Sequence, residues 1–322
     1  MRSNQILILI LVLAFSSSNS LAQSRTPDAA VRYYENGAKK FRKGDLAGAF
    51  EDYTKAIEII SRLAPAKRVS STDWRSANAF GDTFAGPNQI TVIDPFTAKA
   101  YVNRSRVRFH QRDFDGTIRN CEQALRINPG LAVAYLNQGA ARREKGDMAG
   151  ALTDYDRSLS IDKNLFEAYN NRGSLRQDLG DSEGALADLG RAITLNPRLE
   201  EAYYHRGYVL LNKRNYDEAI TDFNRAIELN SRMAWAYQGR GTSLMDKGYL
   251  ERGISDFNRA IELDPNLAAA YANRGLALLL QGKESEAQRD FERCFELQPE
   301  WRVELNKRIQ FAKELRVGRG PR

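Results

Sequence analysis

The sequence predicts an all-α fold, a solenoid of paired helices, and three observations carry that reading. A five-residue stretch, Tyr271-Ala272-Asn273-Arg274-Gly275, recurs with variations, neighbouring copies from Tyr101 on standing 34 residues apart. Within each period, small and bulky residues fall at helical spacing. Helix stop and start signals separate them at fixed places. A fixed period of this length marks stacked supersecondary units, none of which can bury its apolar face alone.

The other copies begin at Tyr33, Tyr101, Tyr135, Tyr169, Tyr203 and Tyr237. With the Tyr as position 4, the repeats span 30–63, 98–131, 132–165, 166–199, 200–233, 234–267 and 268–301. Position 8 is Gly except for Ser105. Position 20 is small (Ala49, Thr117, Ala151, Ala185, Ala219, Gly253, Ala287), as is position 27. Position 24 is bulky (Tyr53, Tyr155, Leu189, Phe223, Phe257, Phe291), with Cys121 the exception. Positions 4, 8 and 11 share one helix face and 20, 24 and 27 another, so each repeat is two amphipathic helices, A and B. Gly44, Gly146, Gly180, Gly248 and Gly282 stand at position 15, where a left-handed C-cap ends helix A. Asp45, Asp113, Asp147 and Asp181 follow as N-caps of helix B. Pro129, Pro197, Pro265 and Pro299 at position 32 part helix B from the next repeat.

This pattern resembles the tetratricopeptide repeat family, over nearly all of the chain beyond its first residues except 64–97 and the tail. The resemblance implies a right-handed superhelical solenoid of helix-turn-helix repeats with helix A lining the concave side. It also implies a protein or peptide partner, held by positions 2, 5, 6, 9, 12 and 13 of helix A. Mapped here, that groove takes in Asn103, Arg106, Asn137, Arg143, Asn170, Asn171, Tyr204, Tyr208, Trp235, Gln238, Met245 and Asn273. Side-chain amides at position 6 can donate to and accept from an extended peptide backbone. The carboxylate clamp of co-chaperone relatives needs a Lys/Asn/Arg set that no three consecutive repeats supply.

Two stretches break the period. Residues 64–97 form an insertion with Trp74, Phe80, Phe84 and a β-like run Ile90-Thr91-Val92-Ile93. Loops of that length are uncommon in compact domains unless functional or disordered. Residues 302–322 carry Leu305, Ile309, Ala312 and Leu315 or Arg316 at helical spacing, and predict a capping helix over the last apolar face.

The basic residues divide unevenly. Lys40, Arg108, Arg142 and Arg176 occupy position 11 in the first four repeats, and Leu210, Leu244 and Leu278 in the last three. This predicts a groove with a basic half and an apolar, aromatic half, fitted to a segment with an acidic and an apolar part. Asp at position 23 and Lys or Arg at position 26 recur together in six repeats and predict an i,i+3 ion pair.

Catalysis finds little to use. His110 and His205 are the only histidines and lie in different repeats. No Cys/His cluster has metal spacing, and no Gly-rich phosphate loop follows a strand. No catalytic residue, metal or cofactor is expected. Cys121 and Cys294 fall inside helices five repeats apart and are expected as buried thiols.

Residues 1–22 read as a signal peptide: Arg2, an apolar run from Ile6 to Phe15, then small residues up to Ala22. The apolar run is too short to span a bilayer, so no stable membrane insertion is expected after cleavage. Loss of Arg2 takes the net charge from +7 to +6, which is modest for a nucleic-acid binder. The expectation is a periplasmic or secreted, non-catalytic scaffold in the cell envelope. A chaperone-like holder of unfolded or secreted chains is the alternative.

Overall fold

The computed structural model describes residues 27–63, 85–86, 89–90 and 95–317. The leader, Trp74, Phe80, Phe84 and the last five residues lie outside them. Of the expected β-like run, Ile90 is described: Gln89–Ile90 pairs antiparallel with Ala85–Gly86. Every other regular element among the described residues is helical, and the architecture is an all-α repeat solenoid. Two compact units divide the chain, up to Leu175 and from Arg176, and each is described by itself.

The first unit holds α1 (Asp28–Arg42), α2 (Leu46–Leu63), α3 (Pro95–His110), α4 (Phe114–Ile127), α5 (Ala132–Glu144) and α6 (Met148–Ile161). The boundary falls within α7 (Phe166–Asp178). The second unit continues with α8 (Ser182–Leu195), α9 (Glu200–Asn212), α10 (Tyr216–Leu229), α11 (Ala234–Asp246) and α12 (Leu250–Leu263). It ends with α13 (Ala268–Leu280), α14 (Glu284–Leu297), a 3-10 turn (Pro299–Trp301) and α15 (Arg302–Val317). Helices pack as A/B pairs, α1 on α2, α3 on α4, α5 on α6, α9 on α10, α11 on α12 and α13 on α14.

The turns between A and B follow from their residues. Gly146 has φ of +85°; the Asp147 N–H reaches back to the Arg142 carbonyl at 2.9 Å and closes the helix end. Asp147 Oδ1 then accepts from the Gly150 N–H at 2.9 Å and caps α6. Two repeats lack the Gly, and there Arg112 and Arg214 adopt the left-handed conformation themselves, at φ of 61° and 62°.

Between A and B the core is a bulky side chain set over a glycine. Phe223, Phe257 and Tyr155 are wholly buried. A Cβ on Gly275 would stand 2.6 Å from the Phe291 ring, so the glycine is required by close approach. The departure in the second repeat is matched on both sides: Ser105 replaces Gly where Cys121 replaces the ring. The two cysteines are free and buried. Burial pushes the Cys121 thiol up to about 12 and the Cys294 thiol up to about 11, which keeps both protonated and inert.

Candidate functional site: the helix-A faces

The charges at position 23 are not paired along their own helix. In the second unit Asp222, Asp256 and Asp290 each accept a two-pronged contact from the Arg at position 7 of helix A. Arg240 Nε and Nη2 reach Asp256 at 2.8 and 2.7 Å, and Arg206 and Arg274 repeat the geometry. In other repeats the cation comes from position 11: Lys40 to Asp52, Arg142 to Asp154 and Arg176 to Asp188, each at 2.8 Å. Positions 7 and 11 are one turn apart on one face, so either reaches the same carboxylate.

This corrects two expectations. The i,i+3 pair between positions 23 and 26 does not form. Arg225, Arg259 and Arg293 pair instead with Glu228, Glu262 and Glu296, and Lys55 with Glu51. Nor is the basic stripe at position 11 a groove feature, since it faces helix B. Arg108 also turns to Asp113, at the start of α4. Where Arg206, Arg240 and Arg274 hold the carboxylate from position 7, position 11 is Leu, and Leu244 and Leu278 are buried there.

In the first unit the candidate residues on α3, α5 and α7 form a buried polar row. Asn103, Asn137, Asn170, Asn171 and Arg143 are each more than nine-tenths buried. Their donors bind neighbouring helices: Asn103 Nδ2 to Tyr34 Oη at 2.7 Å, Asn137 Nδ2 to Ser105 Oγ at 3.3 Å, Arg143 Nη2 to Ser174 Oγ at 3.0 Å. Asn170 Nδ2 donates to Asn171 Oδ1 at 3.5 Å. Their acceptors differ: Oδ1 of Asn103, Asn137 and Asn170 has no hydrogen-bond partner. Buried oxygens of this kind cost free energy until a donor arrives.

Arg106 stands in the same row. Its guanidinium lies 4.7 Å from the Phe41 ring centroid, and its Nε is sealed without a hydrogen bond. No ion pair to it occurs among the described residues. Burial lowers its pKa to about 10, with Tyr53 and Glu167 pulling the other way, so it stays charged at neutral pH. Glu167, at position 2 of its repeat, is buried beside the row, its carboxyl raised to about 7 by burial. Glu167 and Ser174 were not singled out from the sequence, although both hold positions on the helix-A inner face.

In the second unit the candidates lie on α9, α11 and α13. Tyr204, Tyr208, Trp235 and Met245 are half-buried. Gln238 is buried and its Nε2 donates to Thr242 Oγ1 at 3.1 Å. Asn273 is occupied on both sides: Nδ2 donates to Thr242 Oγ1 at 3.0 Å, and Oδ1 accepts from Arg308 Nη2 at 3.1 Å.

That contact places the C-terminal helix. α15 runs along α13, helix A of the last repeat, with far less contact to α14. Leu305 and Ala312 are buried in one cluster with Leu276, Leu279 and the half-buried Met245 and Ile309. Leu276, Leu279 and Met245 hold positions 9 and 12, on the face assigned to a partner. Burial raises the Tyr208 hydroxyl pKa, and the charge of Arg308 acts against that shift. Burial raises the Asp246 carboxyl, with Arg308 and Arg214 pulling it back. α15 thus shields apolar residues of the last repeat, as a capping helix does, and it lies along the helix-A side of that repeat.

Among the described residues no three His, Cys, Asp or Glu side chains converge as metal ligands would, and no helix is long and apolar enough to cross a membrane. The family described as tetratricopeptide repeat matches residues 200–233 and 268–300, and the related TPR repeat family matches 139–180, 173–214 and 241–282. A search of curated proteins found no match. Among solved structures, a tetratricopeptide repeat protein from Parabacteroides merdae is 20% identical, with 90% of this chain and 100% of that one covered at a TM-score of 0.57. The APC/C hetero-tetramer Cut9-Hcn1 aligns at 15% identity over 83% of this chain and 52% of that one, TM-score 0.62. MamA is 30% identical over 50% of this chain and 95% of that one, TM-score 0.44. The paired helices, their 34-residue period and these matches agree: the chain belongs to the tetratricopeptide repeat family.

Proposed function

We propose that this chain is a non-catalytic scaffold of the cell envelope that holds an extended segment of a partner protein on the helix-A face of its first unit. The observation that carries this is the polar row of α3, α5 and α7. Arg106 is charged, buried and without an ion pair, and Asn103, Asn137 and Asn170 present amide oxygens without donors. An extended peptide supplies what both lack: backbone N–H groups for the oxygens, and an acceptor for the guanidinium. A buried charge left unpaired is costly, so a row of this composition is better explained by a ligand than by packing. Delivery outside the cytoplasm rests on residues 1–22, whose pattern is that of a cleaved leader.

The test compares capture of proteins from envelope extracts by the full chain and by its Arg106→Gln and Asn137→Ala variants. Loss of one saturable partner in both variants, with unchanged helix content, supports the scaffold. Identical capture by all three refutes it. Broad capture of many chains with suppression of their aggregation points to the holder instead. Sequencing the N-terminus of the envelope-fraction protein tests export, with Gln23 expected first.

A further inference from the structure

The second unit carries a different feature. Its helix-A face is already covered by a helix of the same chain. α15 is exposed around most of its circumference: Val303 is 70% and Phe311 62% accessible. Its inner stripe is narrow, with Leu305 and Ala312 sealed, Ile309 half-buried, and Arg308 reaching Asn273 from the same side. A second polar tie, Arg316 Nη2 to Glu284 Oε1 at 2.5 Å, holds its C-terminal end. Against this the face offers far more. Tyr204, Tyr208 and Trp235 remain half-buried, and Asp246 stands within reach of the Arg308 charge.

We propose that the face formed by α9, α11 and α13 is a docking surface for a basic amphipathic helix of a partner protein, and that α15 is its built-in, exchangeable occupant. The partner's pattern is read from the occupant: apolar residues at i, i+4 and i+7, as Leu305, Ile309 and Ala312, with an Arg at i+3, as Arg308. The apolar residues meet Met245, Leu276 and Leu279, and the Arg meets Asn273 Oδ1 near Asp246. α15 fills this seat with one leucine, one isoleucine and one alanine. A partner helix that buries more apolar area on this face is favoured roughly in proportion to the area added. The tethered helix competes through its high local concentration, so a partner must outbid an intramolecular ligand. This surface is separate from the polar row of α3, α5 and α7, and its test does not depend on that row.

The probe is a synthetic peptide of residues 302–317. The protein is the full chain, unaltered or carrying Leu305→Glu and Ile309→Glu, which set two carboxylates against the apolar seat. The variant is expected to bind the peptide saturably and at least tenfold more tightly than the unaltered chain, whose face is filled. Asn273→Ala in that variant should weaken binding several-fold, and a peptide with the same two Glu should not bind. Equal binding to both chains, or to neither, overturns the proposal. An independent arm uses the unaltered chain alone: amides of α15 are expected to exchange hydrogen at least tenfold faster than those of α13, by local opening. Exchange of both at one rate overturns exchangeability, even if the variant fails to fold. A dimer of the unaltered chain that the peptide dissolves makes a second copy the occupant and overturns the partner-helix assignment.

Discussion

Replacing Arg240 by Gln separates a buried ion pair from a surface one. Asp256 is 7% exposed, and both its oxygens accept from Arg240, Nε at 2.8 Å and Nη2 at 2.7 Å. Removing the cation leaves a carboxylate desolvated and uncompensated, a change that costs about 3–5 kcal/mol in buried pairs. Arg240 keeps a side-chain exposure of 23%, so water partly relieves the loss and the lower end, about 3 kcal/mol, applies. Arg259→Gln breaks the exposed pair with Glu262 at 2.8 Å and should cost no more than about 0.5 kcal/mol. The third repeat supplies a rescue, since it carries Gln138 at position 7 and Arg142 at position 11, 2.8 Å from Asp154. Adding Leu244→Arg to Arg240→Gln copies that arrangement. It gives up a buried leucine, roughly 2 kcal/mol of burial, and restores the ion pair. The double variant should still be more stable than the sum of the two single changes by about 1.5 kcal/mol or more. Repeat arrays need not unfold in one step, so the measurement is native-state hydrogen exchange of amides in α12, read beside urea unfolding. Two results refute the reasoning: Arg240→Gln costing no more than Arg259→Gln, or the double variant matching the simple sum.

Further predictions rest on single features. Arg112 and Arg214 hold left-handed backbone at φ of 61° and 62° where other repeats have Gly, so Arg112→Gly and Arg214→Gly should each stabilise by about 1 kcal/mol in thermal or urea unfolding. Gly275→Ala places a Cβ 2.6 Å from the Phe291 ring and should destabilise by about 1–3 kcal/mol, seen as lost protection in α13 and α14. Burial raises Asp154 to about 7 against the pull of Arg142, and raises Glu167 to about 7. Folding therefore takes up protons there: their contribution is greatest below about pH 4, where the unfolded chain is also protonated, and falls as pH rises towards 7. The thermal midpoint of the full chain should drop between pH 5.5 and about pH 7.5, and Glu167→Gln should flatten that slope. His110, lowered by burial, acts in the opposite sense only below its ordinary range near pH 6.5.

The helix pairs were legible because their determinants are local. A left-handed turn and an Asp cap are each set by residues a few positions apart, as Gly146, Asp147 and Gly150 show, and a glycine and the ring it faces belong to one repeat, as Gly275 and Phe291 do. The charges were harder, because the ends of long side chains are not fixed by the face from which they start. Arg240 at position 7 and Arg142 at position 11 leave different turns and meet equivalent carboxylates. The exchange was only partly written in the sequence: the last three repeats pair Arg at position 7 with Leu210, Leu244 and Leu278 at position 11, but Arg104 and Arg172 stand at position 7 with Arg108 and Arg176 still at position 11. What periodicity could not supply was the seat of α15. The spacing of Leu305, Ile309 and Ala312 states that one stripe of that helix is buried, and says nothing about which surface buries it. The last helix B and the inner face of helix A are both apolar and both within reach of a tail that starts at Trp301. The choice is made by groups far apart in the chain, Arg308 with Asn273 and Arg316 with Glu284. Fold is thus encoded by near neighbours, and occupancy of the inner face by distant polar contacts. Substitutions at Asn273 should accordingly change what lies on that face while leaving the helix pairs beneath it intact.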